Sequence, residues 1–178
     1  QIEWEQMRDE TIRNLKFPFS YREGQFNLAA SVYRTIARKK KLFIQAPTGT
    51  GKTMAVLYPA VRAMGEGLGE KIFYLTARTI TRTVAEQAFF ILKEKGLKFR
   101  SVTLTAKEKI CFCEKAECNP QACPYAKGHF DRVNDAVYDL LKNGGGMGRK
   151  EIEEQAEKFQ VCPFEFALDL SVWADGII

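Results

Sequence analysis

The 178 residues predict an α/β fold: an incomplete parallel sheet with flanking helices over residues 1–106, then a small, mainly α module. Three observations carry this. Short apolar runs at 42–46, 71–77 and 99–106 alternate with segments whose apolar residues recur at helical spacing. A glycine-rich loop, APTGTGKT (46–53), joins the first run to the helical segment after it. Beyond about Lys107 the alternation stops, and all five cysteines follow between 111 and 162.

In chain order, Phe26, Ala29, Ala30, Tyr33, Ile36 and Ala37 mark a helix over 26–39. LFIQA (42–46) reads as a short buried strand. The segment from Gly51 to about Met64 is helix-like, with Pro59 expected to bend or shorten it. A glycine-rich turn (64–70) leads to the strand KIFYLTA (71–77). TITRTVAEQAFFILKEKG (79–96) is an amphipathic helix closed by Gly96, and FRSVTLTA (99–106) is a third strand. Strands alternating with helices imply parallel pairing through right-handed crossovers. In the second module Phe130, Val133, Val137 and Leu141 mark one helix, broken at Gly144–Gly146; Ile152, Ala156 and Phe159 mark another. SVWADGII (171–178) reads as the approach to, or start of, a new buried strand. The expected division is 1–106, 107–168 and 169–178.

An apolar fraction of 46% and a charged fraction of 28% are those of an ordinary globular chain. No run of 18 apolar residues encodes a membrane span, and QIEWEQMRDE is not a secretory leader. Gln1, in place of an initiator methionine, predicts a chain that begins inside a longer protein. The net charge of +5 divides unevenly: residues 1–110 carry 20 Lys+Arg against 10 Asp+Glu, and residues 111–178 carry 7 against 12. The first part is therefore the one expected to attract polyanions. Five cysteines without secretory features suit reduced, metal-binding thiols in an intracellular location, here expected to be the bacterial cytoplasm, better than a disulfide framework.

Strand, then APTGTGKT, then helix is the context that gives a phosphate loop its mechanism. Gly49 and Gly51 let successive N–H groups converge on phosphate oxygens around Thr48 and Thr50, and the next helix points its positive end at the same anion. Lys52 would reach the β- and γ-phosphates of ATP, and Thr53 would bind Mg²⁺ through its hydroxyl. Ala46 replaces the first glycine of G-x-x-x-x-G-K-S/T. Upstream, FPFSYREGQ (17–25) offers Gln25 and Arg22 for adenine recognition, with Tyr21 or Phe19 as stacking partner. Downstream, Thr76, Arg78, Thr79 and Arg82 fall at the C-terminal edge of the second strand, where open α/β sheets bind ligands, and suit a sugar–phosphate backbone.

The cysteine spacing is Cys111-x-Cys113-x4-Cys118-x4-Cys123-x38-Cys162, with proline after Cys123 and Cys162. Four such thiolates suit either zinc or a 4Fe–4S cluster, and spacing alone does not separate the two. His129, the only histidine, reads as a surface helix residue.

REGQ (22–25), APTGTGKT (46–53), YLTARTITRTVAEQ (74–87), KEKIC (107–111), CNPQACPYA (118–126) and VCPFE (161–165) occur in an order that resembles the XPD/DinG-like (Rad3-related) iron–sulfur DNA helicases of superfamily 2. The resemblance covers nearly the whole chain. It implies the N-terminal part of a RecA-like motor domain plus an iron–sulfur module, serving ATP-driven 5′→3′ translocation on single-stranded DNA and unwinding of forked duplex in repair or replication. Carried over by position, Cys111, Cys118, Cys123 and Cys162 would be the cluster ligands, KEKIC favouring Cys111 over Cys113. Gln25 would recognise adenine, Lys52 and Thr53 would serve phosphate and Mg²⁺, and Arg78, Arg82, Lys107 and Lys109 would meet DNA phosphates. The partners implied are ATP, single-stranded or forked DNA, and the rest of a helicase chain: its DEAH box, arch and second motor domain. No acidic Asp–Glu pair follows a hydrophobic strand in these residues; Asp9–Glu10 precedes the phosphate loop. The isolated chain is therefore expected not to hydrolyse ATP. The alternative is a zinc-stapled nucleic-acid-binding module whose phosphate loop binds nucleotide without unwinding.

Overall fold

The computed structural model describes residues 1–47, 49–144 and 146–178. The chain divides into two compact units, Gln1–Phe99 and Arg100–Ile178. Among the described residues there are eight helices and three short strands.

The first unit is built around its third helix. The charged N-terminal segment folds as α1 (Ile2–Asn14), which buries Arg8 and Ile12. α2 (Gln25–Ala37) and α3 (Lys52–Gly65) follow the expected helical spacing. Pro59 does not shorten α3, which continues to Gly65. The ring removes one N–H from the helical ladder, and burial of Ala55, Leu57, Val61 and Ala63 along the same helix offsets that loss. α1 lies so close to α3 that a Cβ on Gly65 would stand 2.4 Å from Ile12 Cγ2. Arg62 of α3 donates to the Ile12 and Arg13 carbonyls at 2.9 Å each, satisfying the C-terminal end of α1.

The expected strand LFIQA does not form. Residues 41–47 have no regular structure, and Phe43 is 92% exposed. A largely apolar run becomes a buried parallel strand only when neighbours bond its backbone and helices cover both faces, and among the described residues no strand pairs with it. The next strand, β1, is confined to Ile72–Phe73. α4 (Thr79–Glu94) ends as its glycine predicts: Gly96 takes φ +96°, its N–H donates to Lys93, and the Leu97 N–H reaches back to Leu92 at 3.1 Å. Phe89 of α4 stacks on Phe99 at 5.0 Å between ring centres.

The second unit has a different plan. β2 (Ser101–Val102) and β3 (Gly176–Ile177) pair in parallel, Ser101 opposite Gly176 and Val102 opposite Ile177. Buried Asp175 locks that pairing: its carboxylate accepts the Arg100 N–H at 2.8 Å, and its own N–H donates to the Arg100 carbonyl at 2.8 Å. Between the strands lie α5 (Lys107–Ile110), α6 (His129–Lys142), α7 (Arg149–Phe159) and α8 (Pro163–Trp173). Their core includes Val133, Ala136, Leu140, Ile152, Ala156, Phe166 and Leu170. Two expectations shift here. Phe130, placed on the buried stripe of α6, is 84% exposed, and α8 carries helix through Trp173 so that only Gly176–Ile177 of the expected C-terminal strand is β.

Candidate functional site

The phosphate loop is held by residues twenty-odd positions upstream. Gly51 caps α3 at φ +71°, a left-handed conformation that glycine adopts without strain. A helix start leaves its first N–H groups without helical acceptors, so those of α3 face outward beside the loop, in the manner of an anion site. Gln25 is 4% exposed. Its Nε2 donates to the Gly51 carbonyl at 3.2 Å, and its Oε1 accepts the Arg22 N–H at 3.0 Å. The Arg22 guanidinium donates to the Gly49 carbonyl. A Cβ on Gly51 would stand 2.4 Å from Gln25 Nε2, so the loop and the glutamine are fitted to one another.

Lys52 folds over the loop, its ammonium donating to the Ala46 and Pro47 carbonyls at 2.7 Å each. Thr50 Oγ1 donates to the Pro47 carbonyl at 3.0 Å, and Thr53 lies in the first turn of α3. Thr48, expected to join the same loop, lies outside the described residues. Arg22, Gln25, Gly49 and Thr50 line an open cavity of about 810 Å³, with Asn27, Ser31 and the 42–47 segment on its other walls. The aromatic residues proposed for stacking are engaged elsewhere: Tyr21 stacks on Phe17 at 4.1 Å and meets Phe26 edge-on, and Phe19 also meets Phe17 edge-on. Burial pushes the Tyr21 hydroxyl above its ordinary pKa.

The strand expected to run to residue 77 ends at Phe73, so Thr76, Arg78, Thr79 and Arg82 lie at the start of α4 rather than at the edge of that strand. Thr76 Oγ1 receives the Arg78 N–H at 3.3 Å, making a local turn before α4. Arg78 and Thr79 are exposed there, whereas Arg82 is half-buried and 3.9 Å from Glu86.

In the second unit, all five cysteines line one cavity of about 220 Å³ together with Lys107, His129, Phe130 and Phe164. Three stretches of chain supply it: 107–118, 120–130 and 162–165. Cys123 is buried, Cys118 exposed and the other three half-buried, and all are free thiols. The Cys113 and Cys123 sulfurs are 3.7 Å apart. That hydrogen bond, with burial and the neighbouring Cys111, pushes the Cys113 thiol up to about 11. Cys162 caps the N-terminus of α8; burial raises its pKa, and the N–H groups of Glu165 and Phe164 work against that rise. Among the described residues, no three Cys, His, Asp or Glu side chains are gathered closely enough to hold a single metal ion.

His129 is the residue that sequence reasoning misplaced. It is 3% exposed rather than a surface residue, and it lines the cysteine cavity. The available signal was its place directly after Gly128 at the start of α6, between the last two cysteines.

A known family matches the chain across the glycine-rich loop. Residues 27–119, just over half of the chain, match the model of the DEAD/DEAH box helicases. The chain is also 43% identical, across 88% of its length, to a protein described as a probable ATP-dependent helicase of Methanocaldococcus jannaschii. It spans 30% of that relative's length. The chain belongs to the DEAD/DEAH box helicase family.

Proposed function

We propose that this chain is the N-terminal part of the first motor domain, with its cysteine module, of an XPD/DinG-like iron–sulfur DNA helicase. The observation that carries the reading is the gathering of all five thiols on one cavity in a member of the helicase family. In this reading the N–H groups of Gly49–Thr53 and the Lys52 ammonium hold the ATP phosphates, with Lys52 exchanging its present loop carbonyls for phosphate oxygens. Thr53 serves Mg²⁺, and Gln25 fixes the loop while its remaining hydrogen-bonding capacity serves the base. Arg78, Thr79 and Thr76, with Arg82, Lys107 and Lys109, meet the phosphates of single-stranded DNA.

The donor set suits a 4Fe–4S cluster: five thiols line the cavity, they outnumber its two carboxylates, Glu117 and Glu165, and are softer ligands, and no disulfides form among the described residues. Each thiolate of such a cluster binds a different iron, so the four sulfurs need not gather around one point. Cys111, Cys118, Cys123 and Cys162 would hold it, and when bound it would supply covalent cross-links between the 111–123 segment and the start of α8. The acidic box and second motor domain required for turnover are assigned to the rest of a longer helicase. The reading extends to 5′→3′ unwinding in repair or replication.

One observation favours the zinc alternative. A zinc tetrahedron with bonds of about 2.3 Å has sulfur–sulfur edges of roughly 3.8 Å, and Cys113 and Cys123 are separated by 3.7 Å. Iron and acid-labile sulfide on anaerobically purified chain decide between them. About four of each per chain, lost in Cys162→Ser and kept in Cys113→Ser, is the expected result. One zinc per chain without visible absorption, lost in Cys113→Ser, would establish the zinc reading instead.

A further inference from the structure

Cys162 is the one cysteine outside the 111–123 segment, and 38 residues separate it from Cys123. Whatever group the cavity binds, this thiol reaches it only if the chain before α8 is held in place. The first turn of α6 does the holding. His129 Nδ1 accepts the backbone N–H of Cys162 at 3.2 Å. One turn on, Arg132 Nε donates to the Phe159 carbonyl at 3.0 Å, and its terminal nitrogen donates to the Gln160 carbonyl. Three hydrogen bonds from one helical turn thus grip residues 159–162.

The imidazole contact is the one that acts on the cysteine itself. A ring nitrogen that accepts a hydrogen bond carries no proton, so the neutral ring bears its proton on Nε2. That atom is buried without a hydrogen-bond partner among the described residues, 3.6 Å from Asp169 Oδ2 on α8. The distance exceeds a hydrogen bond, but the carboxylate favours the ring orientation that aims Nε2–H toward it and Nδ1 toward Cys162. The arrangement parallels the carboxylate–histidine pairs that orient ligands from behind, acting here on a ligand's backbone amide.

We infer that His129 is a positioning residue for the cysteine centre: its Nδ1, oriented by Asp169, fixes the backbone of Cys162 so that the thiol faces the other cysteines. The inference rests on the reading that this cavity binds a thiolate-held metal group, and it names the residue that makes the distant ligand available.

The test compares two substitutions of similar size and polarity. His129→Asn places an acceptor near Nδ1, whereas His129→Gln moves it out toward Nε2. The first readout needs no bound metal: the alkylation rate of each cysteine in the reduced, metal-free chain by iodoacetamide, resolved by peptide mass spectrometry. The second is iron retained against a chelator after anaerobic reconstitution. His129→Gln should raise the Cys162 rate about tenfold and cut iron retention by about the same factor, leaving the exposed Cys118 rate unchanged. His129→Asn should stay near the unsubstituted chain, and Asp169→Asn should fall between the two. Equal Cys162 rates in the Asn and Gln variants would overturn the inference, as would a Gln variant indistinguishable from the unsubstituted chain. Should the Gln variant fail to fold by circular dichroism, the Asn and Asp169→Asn chains decide: a Cys162 rate raised in the first, or unchanged in the second, overturns it. An intact alkylation contrast with no iron bound by any chain would support the positioning role and overturn the cluster reading.

Discussion

The phosphate loop and the cysteine cavity solve a similar problem in opposite ways. Each places its key group at the start of a helix: Gly51 caps α3, and Cys162 caps α8. The loop is contiguous in sequence, residues 46–53, and two upstream side chains, Arg22 and Gln25, donate to carbonyls among its described residues. The cavity is assembled from three separated stretches, and its outlying thiol is held by a histidine 33 residues earlier in the chain. A contiguous site tolerates loss of distant packing; an assembled one fails when the core beneath it fails.

The sharpest way to break the comparison is Phe166→Ala. Phe166 is fully buried in the core of the second unit, and a truncation of that size costs about 3–5 kcal/mol. Urea unfolding should show that loss, and all five cysteines should become readily alkylated, while nucleotide binding measured on the same chain persists. A parallel fall in nucleotide affinity would show the two sites to be coupled.

Lys52→Ala tests the other side. Removing a charged donor to phosphate costs about 1.5–3 kcal/mol, or roughly 10- to 150-fold in Kd. Fluorescent-nucleotide titration should read that loss with the urea midpoint unchanged. Next in size, Gly51→Ala forces a side chain into φ +71° and against Gln25 Nε2. Backbone strain alone contributes about 1–2 kcal/mol, and the displaced amide adds to it. Adding Gln25→Ala should relieve the clash but leave the strain, so the double variant should recover only part of the melting temperature.

The smallest effect belongs to Asp139. Hydrogen bonds from Gln155, and then from Lys158, hold its carboxyl below the ordinary 3.8. A depressed folded-state pKa means that the unfolded chain takes up the proton first on acidification. The contribution is therefore present above the unfolded value and lost as pH falls through the folded one, below about pH 4. Asp139→Asn should lower the melting temperature slightly at neutral pH and flatten its fall below about pH 4, a modest change for a surface pair.

Helices were the legible part of the fold. Their apolar spacing, and Gly96 as a terminator, mark α2, α4, α6 and α7 closely because those signals are local. Strands were less so. LFIQA has the composition of a buried strand, yet Phe43 is almost fully exposed, because a strand's hydrogen bonds come from neighbours that its own sequence does not contain. Pro59 misled for the reverse reason: tertiary burial of α3 outweighs the single lost hydrogen bond. His129 does fall in register with the buried Val133, Ala136 and Leu140 of α6, but a polar ring at the head of an apolar stripe does not by itself say that it is buried, and its contacts with Cys162 and Asp169 come from distant chain.

The sequence by itself determined the Gly51 cap, the helix that follows it, and the placing of four thiols within residues 111–123, because glycine conformation, helix polarity and residue spacing act over a few residues. Tertiary structure alone decided that Gln25 turns into the loop backbone, that all five cysteines share one cavity, and that an imidazole stands behind Cys162. These depend on residues far apart in the chain being brought within hydrogen-bonding distance, and it is the packing of α1 and α2 on α3, and of α6 on α8, that brings them there.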